Sequence, residues 1–100
     1  MKGLDKQVRL IIEGNFDEIL KDSKSYEKVY SDMLRSIGIE SNLERLVSFF
    51  SGFILGTTQQ LYRRKYGRGL NSEEINELIE LMKRRAFEVR MAFMSTRVNE

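Results

Sequence analysis

One hundred residues with a net charge of +2 fit one domain and show no charge excess that would demand a nucleic-acid partner. The absence of cysteine excludes disulfides and thiolate chemistry, and the absence of histidine removes the commonest general base, metal ligand and near-neutral pH switch. Apolar residues at 41% suffice for a core, and without proline nothing interrupts long helices.

The N-terminal stretch MKGLDKQVRLII lacks the long apolar run and small-residue cleavage site of a signal peptide. The longest uncharged run, between Arg45 and Arg63, contains Ser48, Ser51, Thr57, Thr58, Gln59 and Gln60. A membrane span needs about 20 mostly apolar residues, so this run is too short and too polar. The expectation is a cytoplasmic protein with no membrane segment.

Leu4, Val8, Ile11 and Ile12 share one helical face. Gly14-Asn15 interrupts, and Asn15 with Glu18 makes a capping-box pattern for a short helix whose apolar side is Phe16, Ile19 and Leu20. The alternative is one bent helix over 4–21, with Gly14 inside it at a cost of about 1 kcal/mol relative to alanine. The segment GNFDEIL, residues 14–20, resembles the start of the second helix of a tetratricopeptide repeat. An array needs about three copies of 34 residues, however, and Ile19 stands where a small residue is usual, so no repeat protein is implied.

Residues 22–25 form a polar joint. Tyr26, Val29, Tyr30, Met33, Leu34 and Ile37 then give the cleanest amphipathic pattern in the chain. Gly38 is the expected left-handed stop, with Ile39 folding back onto the last turn. LRSIGIESNLERL, residues 34–46, resembles a helix-turn-helix: a helix, a turn at Gly38-Ile39 and a capped second helix. It departs from that motif at Glu44, where a buried aliphatic is usual. The second helix also continues into Phe49, Phe50 and Phe53, which belong in a core and not in a DNA groove.

Ser41 and Glu44 form a capping box directly before an apolar run, so a third helix is predicted to about Tyr66. Leu43, Val47, Phe50, Ile54, Thr57 and Leu61 repeat at helical spacing, while Leu46, Phe49, Phe53 and Leu55 widen the apolar surface nearly all round. Such a helix is expected at the centre of the fold, buried on most sides. Gly67-Arg68-Gly69 ends it. Asn71 and Glu74 offer a further capping box, with Ser72 a competing cap, for a fourth helix from about Glu73 to Met94 or beyond. Its seam is predicted as Ile75, Ile79, Met82, Ala86, Val89 and Phe93, with Glu80, Arg84 and Glu88 paired on the opposite face. Nothing alternates with the period of a strand. The fold class is therefore all-α: a single domain over 1–100, a compact antiparallel bundle of four to five helices with a long, largely buried central third helix.

Three features stand out for function. Ser48, Gly52 and Gly56 lie four apart on one strip of the third helix. Helical glycines cost about 1 kcal/mol each, so the close approach of another helix is expected to offset them. Packing within the subunit is the first reading, a dimer axis the second, a ligand slot the third. In YRRKYGRG, residues 62–69, Arg63, Arg64, Lys65 and Arg68 are interleaved with Tyr62 and Tyr66. Cations neutralise phosphates and aromatic faces stack on bases, although cations also simply suit a helix C-terminus. Lys83-Arg84-Arg85 offers a second basic ridge. Finally, Phe87, Met91 and Met94 form a second apolar strip about a third of a turn from the seam. Either the N-terminal helix or a partner subunit must cover it.

Carboxylates form no catalytic constellation. Glu73, Glu74, Glu77 and Glu80 crowd a helix start, where acidic groups suit the dipole, and no Glu-x-x-His pair exists without histidine. No catalytic, cofactor-binding or metal site is expected. The leading expectation is a non-enzymatic homo-oligomer, a dimer for preference, acting through protein–protein contacts. The alternative is an RNA- or DNA-binding module using residues 62–69 and the basic face of the last helix.

Overall fold

A computed structural model describes residues 3–98 of the domain expected over 1–100, with the side chains of 97 and 98 left out. It contains four helices: α1 (Lys6–Lys21), α2 (Ser23–Ser36), α3 (Leu43–Tyr66) and α4 (Ser72–Val98), with no strand among the described residues. No described helix is long and apolar enough to cross a membrane.

Each boundary has a local cause. Asp5 caps α1, its carboxylate accepting hydrogen bonds from the amides of Gln7 at 2.9 Å and Val8 at 3.1 Å. The helix then runs unbroken through Gly14 and Asn15, so the single-helix alternative holds and Asn15 caps nothing. Only Asp22 separates α1 from α2. At the end of α2, Gly38 adopts φ +83° and Ile39 returns its amide to the Leu34 carbonyl at 2.8 Å, as expected of a left-handed stop. The cap of α3 is Asn42, one residue later than the sequence suggests; it accepts from the Arg45 amide at 2.9 Å. Ser41 is drawn away to the Ser31 hydroxyl at 2.8 Å. Gly67, at φ +71°, closes α3. The box at the start of α4 is reciprocal: the Glu74 amide donates to Asn71 at 2.9 Å, and the Asn71 amide to Glu74 at 2.8 Å.

The ion pairs give the directions. Glu44 at the start of α3 meets Arg90 late in α4, and Gln59 accepts from the Leu70 amide, so α3 and α4 are antiparallel. Asp5 lies beside Tyr62 and Phe16 beside Phe50, so α1 is also antiparallel to α3. α3 packs against all three other helices, as α4 does, and supplies the middle of the core. It buries Leu46, Val47, Phe50, Ile54, Thr58 and Tyr62 in a line. Phe50 anchors the middle, edge-on to Phe16 at 5.1 Å and within 6.4 Å of Tyr30. The rest of its apolar surface is wider than this chain covers, and Phe53 and Leu55 stand exposed.

Two predicted seams are rotated. In α4 the buried residues of the first half are Glu74, Leu78 and Leu81 in place of Ile75, Ile79 and Met82; Val89 and Phe93 are buried as expected. In α2 the buried line is Glu27, Ser31 and Leu34, while Val29, Met33 and Ile37 face outward. Tyr26 and Tyr30 lie between, with Tyr30 packed on Phe49 at 5.2 Å.

Candidate interaction surfaces

Residues 62–69 fold into a latch. Tyr62 is fully buried, and its hydroxyl accepts the Asp5 amide at 2.6 Å, so its ring is closed to any base. Tyr66 donates its hydroxyl to Asp5, and Lys65 pairs with the same carboxylate at 2.7 Å. Arg68 grips Glu74 with both terminal nitrogens, at 2.8 and 3.0 Å, and lies over the rings of Tyr62 and Tyr66. These contacts tie the start of α1 and the start of α4 to the end of α3. They also set the local electrostatics. Hydrogen bonds from Lys65 and Tyr66 hold the Asp5 carboxyl well below the usual carboxylate range. Arg68 lowers Glu74 in the same way. In the cleft between these groups, about 400 Å³, Lys65 and Arg68 are turned onto carboxylates of the same chain.

Two of the four predicted phosphate-binding cations, Lys65 and Arg68, are thus engaged internally. Arg63 and Arg64 are exposed and make no ion pair or hydrogen bond among the described residues. The second basic ridge is neutralised as well. Lys83 meets Glu80, Arg84 meets Glu13, and Arg85 is drawn inward to Glu13 at 2.6 Å and Asp17 at 2.5 Å, over the Phe16 ring. The sequence marked Arg85 as a surface cation; its signal for burial was its place four residues before Val89, on the inner side of α4.

The small-residue strip turns outward. A Cβ added to Gly52 or Gly56 would meet no heavy atom within 4 Å, and Ser48 is exposed. Among the described residues no helix packs there, which goes against the intrachain form of the close-packing expectation. The strip lies on the far side of α3 from its buried line Phe50, Ile54 and Thr58, so burying that line turns the glycines to the outside. Beside it runs an apolar groove of about 410 Å³, lined by Phe53, Gly56, Thr57, Gln60, Leu61 and Arg64.

Phe87, Met91 and Met94 are 62%, 46% and 38% exposed on the outer face of α4, opposite buried Val89 and Phe93. α1 does not cover them; it lies along the side of α4 that bears Glu77, Arg84 and Arg85. Among the described residues, no group of three or more metal-ligating side chains comes together. No protein-family model and no curated protein matches this sequence, and no solved structure matches this fold.

Proposed function

We propose that this protein is a non-enzymatic helical bundle that associates with a second copy of itself and acts through protein–protein contacts. The observation that carries the reading is the uncovered strip Phe87, Met91 and Met94. A phenylalanine and two methionines exposed in a row on one helix face favour burial against a partner. Methionine tolerates water when alone and adapts its shape when packed. A two-fold pair is the simplest closed assembly of identical chains.

Nucleic-acid binding through residues 62–69 is the weaker reading, because Lys65 and Arg68 would have to leave Asp5 and Glu74 to reach a phosphate. Light scattering after size exclusion, at high micromolar protein and from ~50 mM to ~1 M salt, separates the two. An apolar pair keeps its mass across that range. A chain that stays monomeric throughout, yet binds RNA or DNA at low salt only, overturns the proposal.

A further inference from the structure

Among the uncovered apolar surfaces, which include Val29, Met33 and Ile37 along α2, one on α3 and one on α4 have matching patterns of charge. The groove on α3 is apolar at Phe53, Gly56 and Leu61 and ends in Arg64, with Arg63 beside it and no carboxylate in its lining. Among the described residues these two arginines have no side-chain partner, whereas Arg9, Arg35, Arg68, Arg84, Arg85 and Arg90 all pair with carboxylates of the chain. The outer face of α4 has the reverse order. Glu80 comes first, seven residues before Phe87, and Met91 and Met94 follow on the same side. Glu80 is highly exposed, and among the described residues its only ion pair is the surface contact with Lys83 at 3.3 Å, of a kind worth little.

We infer that the partner of the α4 strip is the α3 groove of a second copy, the two helices running antiparallel. This rests on the proposed self-association and names the surface that receives it. Phe53 and Arg64 are eleven residues apart, as are Glu80 and Met91, a rise of about 16 Å in each helix. In that register Glu80 meets Arg64 of the second copy, Phe87 lies over the open floor at Gly56 and Thr57, and Met91 meets Phe53. Arg84 falls opposite the neutral Gln60, and its own charge is held by Glu13. Strip against strip would leave the arginines unpaired and Gly56 bare. It would also bury little, since three side chains fall short of the about 800 Å² per partner of a typical specific interface. When each copy gives a strip and a groove, the two-fold pair contains the contact twice.

A charge exchange tests this. Arg64→Glu and Glu80→Arg should each weaken the dimer about tenfold or more in sedimentation equilibrium, because like charges then face each other. The double variant Arg64→Glu with Glu80→Arg should recover to within about threefold of wild type, because the pair is restored with reversed sign. Gly56→Leu fills the groove at a site with open space inside the monomer, so it should abolish pairing while the circular dichroism stays helical. If wild type dimerises but Arg64→Glu and Gly56→Leu leave it unchanged, the groove is not the partner and self-association stands without it. If wild type is monomeric at high micromolar concentration, self-association itself fails. Loss of pairing in both single charge variants without recovery in the double variant also overturns the inferred register.

Discussion

At the scale of single residues, Asp5 does the most for the arrangement of the helices. It caps α1, accepts from Tyr66 and pairs with Lys65, while its own amide donates to Tyr62. Only the cap is local; the other three partners could not be read in the sequence, because they lie near residue 65, far along the chain. Its depressed pKa has a thermodynamic consequence. A carboxyl that binds its proton less readily folded than unfolded stabilises the fold above the ordinary carboxylate range, and that contribution is lost as pH falls through the range. Glu74 acts in the same direction. Urea midpoints should therefore drop as pH falls below about 4. Asp5→Asn, which keeps a capping oxygen but not the ion pair, should show a shallower acid limb than wild type. Equal acid limbs would show that the latch contributes nothing to stability. Phe50 is the complementary case, a residue whose role was legible from spacing alone. It is 2% exposed and packs on Phe16 and Tyr30. Phe50→Ala should cost about 3–5 kcal/mol in chemical denaturation; a loss below about 1 kcal/mol is that of a surface site.

At the scale of elements, four helices and most of their ends followed from periodicity and turn chemistry. Gly38, Gly67 and the Asn71–Glu74 box mark boundaries that the structure keeps. The rotation of the helices was less legible. In α4 two apolar lines compete, one through Ile75 and Ile79 and one through Leu78 and Leu81, and spacing cannot rank them. The fold chooses the second, which brings Arg85 to Glu13 and Asp17. In α2 the apolar stripe is real, but buried Glu27 and Ser31 take the inner position, with Ser31 bonded to Ser41. Hydrophobicity alone would not have placed a glutamate there. The glycines of α1 and α3 make an element-scale prediction. Gly14 and Gly52 sit inside helices at negative φ with open space where a Cβ would go. Gly14→Ala and Gly52→Ala should each raise stability by about 0.5–1 kcal/mol, through helix propensity and a less free unfolded chain. A lowered urea midpoint in either would mean that a neighbour packs closer than open space allows.

At the scale of the whole molecule, apolar surface exceeds what four helices of this length can hide. The excess lies on every helix, at Leu10 and Ile11 of α1 and Val29 and Met33 of α2 as well as on the outer face of α4 and the open side of α3, while α1 is spent along the Glu77–Arg85 side of α4. The α4 strip was legible in the sequence because it is offset from the seam by helical geometry. The groove that would receive it was not, because apolar residues run nearly all round α3 and spacing alone cannot say which of them the other helices bury. The decisive variant is Phe87→Glu with Met94→Glu. Neither side chain supports the monomer's core, since both are exposed while Val89 and Phe93 beneath them are buried. Two glutamates there should leave the fold intact, with a far-UV spectrum still dominated by helix and a urea midpoint close to wild type. Surface changes of this kind alter stability by about 0.5 kcal/mol or less. The effect on association should be large. Each buried apolar side chain contributes roughly 1.5–3 kcal/mol before the costs of association, and the replacement adds two charges that resist leaving water. Light scattering at a concentration where wild type pairs should then give a monomer mass. A double variant that unfolds would place Phe87 and Met94 in the internal core. One that remains folded and paired would move the contact away from α4 altogether.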